Sequence, residues 1–334
     1  MESISTPILV DLHRHQDTSH SPESISRIAR LLHIESFEHK SIEEIRRQVQ
    51  APTGATWEQW YNCLKEVRKA YVSVVAVAEL TRDVIKDAAK EGLAILELRV
   101  SLLSAVDAIR TNNTTEAQAN FWNVARRTLE AILEAKRQET ASSEMVVDLI
   151  LSISCQNKYL SYIHSYVDLM KDYSSDIIAV DLTNEQENKP TTYRADLERI
   201  RPHIQFLTVH CMEKMGPDRG WDALELAPDR IGHGIRAVED PLLVQEIARK
   251  AIPLEICPLS NILTSVASPQ NHPFRRLNES GVRVTINHDG LNDVTLLKDD
   301  YAFVKKTFGY DDQDMLRFMQ NGWESAFLNM KRNS

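Results

Sequence analysis

Short apolar runs recur along the chain, each followed by a stretch whose apolar residues repeat at helical spacing. The runs cover residues 8–13, 94–100, 146–152, 177–182, 206–210, 230–232, 253–256 and 283–287, with helix-period stretches such as 115–136, 159–171, 240–250 and 312–327 between them. Strand-length runs alternating with amphipathic helices predict parallel βαβ units whose strands are buried on both faces. Eight such units predict an α/β fold of the closed (β/α)8 TIM-barrel type. An open doubly wound sheet produces the same pattern and differs only in closure.

The connection between the first two runs is about 80 residues long, far beyond the usual βα loop of about 2–6. It carries helix punctuation throughout. Ser21-Pro22 reads as N-cap and first helical position, Ser41 with Glu44 and Thr56 with Gln59 fit capping boxes, and Gly92 sits where a C-cap belongs. These signals predict a helical insertion over residues 18–92 within one domain spanning 1–334. Trp57, Trp60 and Tyr61 cluster in one of its helices. Core packing is the commoner use of such aromatics; the sharper expectation is a lid that closes over the barrel mouth on a planar ligand.

Length alone leaves two ordinary domains or one barrel open for 334 residues. The chain holds only 10 glycines, against about 23 at average usage, which argues against linker-rich, collagen-like or repeated phosphate-loop designs. With 48 acidic against 39 basic residues the net charge is −9, so there is no electrostatic footprint for nucleic acid or an anionic membrane. A small-molecule partner is the better expectation, and the sequence leaves the oligomeric state unspecified. No apolar run reaches the roughly 18 residues of a membrane span, and the opening segment lacks the pattern of a secretory signal. Cys63, Cys155, Cys211 and Cys257 are widely spaced and read as free thiols. The expected location is cytoplasmic.

Candidate chemistry gathers at the ends of the apolar runs. His13 and His15 close the first run two residues apart, so period-2 geometry puts both side chains on one face. His210 closes the fifth, His233 closes the sixth, and Asp289 follows the eighth. In a parallel barrel all these ends open on the same side. Five metal-competent residues at four strand ends therefore predict a metal site of imidazoles plus one carboxylate, which suits Zn2+, with Fe or Co as options. The fourth run offers no lysine to bridge a second ion, so one metal per chain is expected. Glu213 follows His210 by three residues and is open to two readings, general acid or surface carboxylate beside Lys214. Residues 232–237 match a dinucleotide fingerprint, but the preceding run is too short and a histidine occupies the tight turn, so that reading is rejected. The combined HxE…PCxxC pattern of the nucleobase deaminases is absent.

The chain resembles the adenosine deaminase family of metal-dependent barrel hydrolases over essentially its whole length, and looks closest to the bacterial members. The resemblance rests on His13-Arg-His15-Gln-Asp17, Glu97-Leu-Arg-Val-Ser101, Thr208-Val-His210 with Glu213, the run from Arg230 to Asp240, Cys257-Pro-Leu-Ser-Asn261, and Ile286-Asn287 with Asp289. It implies that His13, His15, His210 and Asp289 bind zinc and that Glu213 protonates the ring nitrogen beside the amino-bearing carbon. It further implies that His233 orients the attacking hydroxide, that Asp289 accepts its proton, and that Asp17 meets a ribose hydroxyl. The implied reaction is hydrolytic loss of ammonia from adenosine or a related aminopurine nucleoside. The departures lie in the substrate shell. Asn184 and Met212 stand where the family has glycines, Thr18 replaces another, and Gly290 replaces an acid that meets the purine. The same chemistry on adenine, a modified nucleoside or a pterin-like ring is therefore the alternative. A zinc-holding protein without turnover is the alternative from another class.

Overall fold

In the computed structural model, which describes residues 8–52, 54–290 and 295–333, the eight apolar runs are eight parallel strands. They are β1 Leu9–His15, β2 Leu93–Val100, β3 Val146–Ser154, β4 Ile177–Thr183, β5 Phe206–Cys211, β6 Arg230–His233, β7 Leu254–Ile256 and β8 Val284–Ile286. Each strand pairs in parallel with the next in chain order. Just beyond β8, Asp289 bridges to Arg14 on β1, and the Asn287 side chain accepts from Leu12 N at 3.0 Å. These bonds bring the last strand back to the first and decide for a (β/α)8 barrel over an open sheet.

The strands read as apolar because their outward faces are buried under helices. Leu96, Leu98 and Val100 of β2 face that shell, whereas the alternate Glu97 and Arg99 point inward and are fully buried. The barrel interior is accordingly ionic. Arg99 binds Asp181 Oδ2 at 3.0 Å and also meets Glu255 and the Leu12 carbonyl; Arg230 meets Glu97 and lies 2.7 Å from Glu255 Oε1. Below this layer the chain's C-terminal end closes the barrel floor. Helix Asp312–Ser325 ends so that Ala326 packs with Val10, Leu12 and Ile95, and Phe327 stacks on Phe206 with the Arg230 guanidinium 3.5 Å from its ring centre. That turn is why the period expected over 312–327 breaks before Phe327.

The long first connection is helical as expected: α1 Pro22–Leu32, α2 Ile42–Val49, α3 Trp57–Val67 and α4 Val74–Glu91. Ser21 caps α1, complete capping boxes open α2 and α3, and Gly92 caps α4. Their apolar faces join the same core cluster as the outer faces of the strands. After β2 come α5 Leu102–Asn112, α6 Thr114–Gln118 and α7 Phe121–Thr140. The single helix expected over 115–136 is thus two, because the Asn120 side chain accepts from Trp122 N and Asn123 N and starts a new one. The stretch 159–171 likewise opens as a 3-10 segment, Asn157–Tyr162, before helix Ile163–Asp172. No described helix is long and apolar enough to cross a membrane.

Removing one partner from a buried ion network costs about 3–5 kcal/mol, because the remaining charge is stranded. Arg230→Leu, which leaves Glu97 without its guanidinium, is expected to lose about that much stability by denaturant titration. A loss below about 1 kcal/mol would show that the interior network does not hold the floor together.

Candidate functional site

The C-terminal strand ends open into a cavity of about 300 Å3 lined by His15, Asp17, His210, Glu213, His233 and Asp289, among others. His13 lies just beneath, with no exposure. Its Nε2 is 3.6 Å from Asp289 Oδ1, and His15 Nε2 is 3.5 Å from the same oxygen and 3.0 Å from His210 Nε2. His13, His15 and Asp289 form one group able to hold an ion, and His13, His210 and His233 form another. The four residues expected as ligands and the three expected as catalytic groups are therefore neighbours.

Two buried carboxylates set the ring orientations. Glu255 Oε2 lies 2.8 Å from His13 Nδ1, and Asp181 Oδ1 lies 2.9 Å from His210 Nδ1. With the proton held on Nδ1, each Nε2 turns a lone pair inward. His13 Nε2 is buried and has no hydrogen-bond partner among the described residues, a cost that a bound cation removes. Around this point two guanidiniums, Arg99 and Arg230, face three carboxylates, Glu97, Asp181 and Glu255. Adding Asp289, the interior lacks positive charge, so a divalent cation fits the donor set in charge as well as geometry.

Burial and then neighbouring charge push the four imidazoles down: His15 to about 3, chiefly by burial and by His210, and His13, His210 and His233 well below their usual value. They stay neutral near pH 7, as ligation requires. Burial raises Asp289 to about 7 and Asp181 to about 6. Burial, then the Asp289 and Glu185 carboxylates, raise Glu213 to about 8. Glu213 is thus a buried acid and not a surface carboxylate, with Oε1 unpartnered and Oε2 3.8 Å from His233 Nε2. Asn261 Nδ2 is 3.3 Å from His233 Nδ1, which leaves the proton on Nε2, facing Glu213.

Backbone geometry aims several of these groups. Asn184, Met212, His233 and Asp289 all have positive φ, from 57° to 72°, a conformation that side chains other than glycine adopt at a cost. Ser260 Oγ donates to Asp289 Oδ2 at 2.5 Å and Asp289 N donates to the His13 carbonyl at 2.7 Å, which holds Asp289 in place. Gly232 has a steric role: a Cβ there would lie 3.0 Å from His13 Cε1 and 3.1 Å from His210 Nδ1. The first glycine of the run that imitates a dinucleotide fingerprint thus makes room for imidazoles, whereas Gly234 makes room for Leu254.

The substrate shell is placed unevenly. Asp17 and Asn184 line the cavity; Gly290 and Met212 do not. Met212 is fully buried, and its sulfur packs against Gly220. At Gly290 a Cβ would meet Ser19 Oγ at 2.2 Å and Thr18 Oγ1 at 2.6 Å, so the two unusual residues Thr18 and Gly290 fit each other. Asn184 Nδ2 reaches Ser154 Oγ at 3.0 Å and Thr183 Oγ1 at 3.1 Å. Asp17 Oδ2 accepts from Arg68 Nη2 at 2.6 Å, a partner that sequence reasoning did not single out. Trp57, Trp60, Tyr61 and Leu64 of α3 line the cavity, so the aromatic cluster serves the mouth instead of the insertion's interior. Glu255, Asp181, Ser260 and Asn261 were also missed as supports: Ser260 and Asn261 lie in a motif of the resemblance, Glu255 just before it and Asp181 in the fourth apolar run outside the motifs, but only contact geometry gives them a role.

The family model described as Adenosine deaminase matches residues 8–334. An adenosine deaminase of Escherichia coli O157:H7 is 29% identical over 334 residues, covering 96% of this chain and 94% of that protein. Among solved structures, an adenine deaminase from Arthrobacter aurescens superposes with a TM-score of 0.82 at 20% identity, covering 96% of this chain and 94% of the other. An amidohydrolase from Burkholderia ambifaria with bound Zn superposes with a TM-score of 0.78 at 18% identity, covering 96% and 85%.

Purified protein is expected to carry about one metal per chain, and His15→Ala to lose it in elemental analysis. At a hundredfold excess over Kd an ion stabilises by about 2.7 kcal/mol. Chelation is therefore expected to lower the wild-type Tm by roughly 5 °C or more and to leave that of His15→Ala unmoved. A metal-free wild type would remove the site.

Proposed function

The chain belongs to the adenosine deaminase family, and from that premise we propose that it is a zinc-dependent hydrolytic deaminase of adenosine or a related aminopurine nucleoside, acting in the cytoplasm. The observation that carries the proposal is a single cavity in which inward-turned imidazole nitrogens and Asp289 lie beside a buried Glu213 whose Oε1 has no hydrogen-bond partner. Family membership implies a metal. His13, His15, His210 and Asp289 would hold it, and their nitrogen and oxygen donors suit Zn2+. Cys257, also close by, directs its thiol to the Glu255 carbonyl at 3.6 Å. Such an ion supplies Lewis acidity that lowers the pKa of a coordinated water to about 7.

The remaining work falls to this chain's own residues. Glu213, held protonated by burial, donates its proton to the ring nitrogen beside the amino-bearing carbon, which makes that carbon electrophilic. His233, with its proton on Nε2, orients the oxygen nucleophile and stabilises the charge that develops on it. Asp289 takes the nucleophile's proton. The carbon–oxygen bond forms, Asp289 passes the proton it took to the amino group, and the carbon–nitrogen bond breaks as ammonia leaves. Asp17 receives a sugar hydroxyl, and Asn184 contributes to the wall facing the ring. The insertion over 18–92 acts as a lid, its α3 aromatics forming the apolar edge of the mouth.

The second reading keeps the chemistry and changes the ring, to adenine, a modified nucleoside or a pterin-like heterocycle. It is favoured by Gly290, which packs under Thr18 and Ser19 and offers the ring no side chain. A zinc-holding protein without turnover has no use for a buried acid like Glu213.

Glu213→Gln is expected to retain metal and fold while losing about 10²–10⁴-fold in kcat, the usual worth of a general acid. Unchanged turnover would take Glu213 out of the mechanism. Ammonia release across adenosine, adenine and a pterin, with metal content measured on the same sample, separates the readings. Dominant adenosine turnover excludes the second.

A further inference from the structure

One wall of the cavity carries donors that the deamination chemistry does not use. Arg68, in the 3-10 segment Arg68–Ala70 that follows α3, reaches the cavity and gives Nη2 to Asp17. Its Nε is buried and has no hydrogen-bond partner among the described residues. The N-terminus of α5 opens on the same cavity through Ser101, Leu103 and Ser104. This end is only partly satisfied: Ser101 makes no side-chain cap bond, the first turn holds no acidic residue, and the Leu103 amide is taken by the Tyr166 hydroxyl. The first intrahelical bond runs from Ala105 N to the Ser101 carbonyl, so the amides of residues 102–104 have no partner within the helix.

A third, independent feature points the same way. Ser152 lines the cavity, is only 4% exposed, and its Oγ has no hydrogen-bond partner. Val100 pairs with Leu151 across β2 and β3, so Ser152 occupies the position beside Ser101, at the start of α5. A buried hydroxyl without a partner costs about 1–3 kcal/mol, and here a ligand oxygen can recover it.

The cavity's carboxylates at this level are already committed. Asp17 Oδ2 is bound to Arg68, Glu185 accepts from the backbone amides of Met212 and Met215, and Glu187 accepts from Asn157 N. Apart from Asp17 Oδ1, the groups on this wall left with spare hydrogen-bonding capacity are the Arg68 guanidinium, the α5 amides other than that of Leu103, and the Ser152 hydroxyl. A helix N-terminus, a guanidinium and a hydroxyl together suit a tetrahedral oxyanion.

Building on the deaminase reading, we propose that Arg68, the α5 N-terminus and Ser152 form an oxyanion subsite beside Asp17, and that the substrate is an aminopurine nucleoside bearing a phosphomonoester on its sugar. Asp17 then receives a sugar hydroxyl through Oδ1 while Arg68, neutralising Asp17, turns its remaining donors to the phosphate.

The test uses the metal-loaded enzyme and two readouts. Calorimetry compares inosine 5′-monophosphate with inosine, which bind without turnover, and steady-state ammonia release compares adenosine 5′-monophosphate with adenosine. The monophosphate is expected to bind at least about tenfold more tightly, with a matching preference in kcat/KM. Arg68→Gln is expected to cut the ratio of the two at least about tenfold, and Arg68→Lys to restore part of it. Ser152→Ala, a small change that leaves no charge stranded, is expected to reduce the ratio severalfold. Equal or tighter binding of the nucleoside, or an equal loss for both ligands in Arg68→Gln and Ser152→Ala, overturns the subsite. A monophosphate preference in binding with no ammonia from either compound overturns the deaminase reading and supports the subsite.

Discussion

The Glu255 carboxylate is the hinge on which both the barrel and its site turn. One oxygen lies against Arg230 and accepts from Thr208; the other meets Arg99 and His13 Nδ1. Those contacts tie β2, β5, β6 and β7 together inside the barrel and present His13 Nε2 to the cavity. The inner guanidiniums cannot be housed without Glu255, and the imidazole cannot be oriented without it. A site built on so buried a support is stiff, because any rotation of His13 breaks a charge-assisted bond in a region of low dielectric. Asp181 repeats the arrangement for His210, sharing Arg99. Imidazole orientation and interior packing are here the same set of bonds.

That rigidity accommodates strain at the rim. His233 and Asp289 stand in left-handed backbone conformations at two strand ends. Each such residue costs of order 1–3 kcal/mol and persists because its surroundings over-determine it. Asp289 N and O are held by the carbonyl and amide of β1 residues, its carboxylate by Ser260, and His233 Nδ1 by Asn261. The reward is direction: a strand that continued in extended form would carry these side chains past the cavity.

The insertion meets the barrel through polar contacts near the same rim. Gln16, His20, Tyr71 and Thr81 form a buried hydrogen-bonded set under Asp17 and Arg68. Higher up, Ser265 Oγ donates to the Ala55 carbonyl and the Lys214 ammonium lies 4.9 Å from the Trp57 ring centre. The segment carrying the aromatics is thereby fixed at both ends to the loops that carry His15 and Glu213. Thr18 and Gly290 belong to this join as well. The Thr18 hydroxyl occupies the space a side chain at 290 would need and donates to the Asp289 carbonyl at 2.9 Å, so the two departures from the family pattern form one steric exchange.

By itself the sequence determined the strand count, the capped helices of the insertion and the identity of the metal-competent residues. Those are local facts: apolar period, cap chemistry, and residue type at a strand end. His13 and His15 could be paired from spacing alone because a strand has a period of two. Closure of the barrel was decided by Asn287 and Asp289 meeting β1, a contact across more than 270 positions that no local pattern encodes. The same holds for Glu255, a lone acid in an apolar run until the fold sets it between two arginines and a histidine. Glu213 was ambiguous on paper because burial is a tertiary property, and burial is what makes it an acid. Arg68 and Ser152 carried no motif, and only the folded cavity shows that their unused hydrogen-bonding atoms share one wall. Local chemistry named the reactive groups; long-range contact set their charge, their direction and what they face.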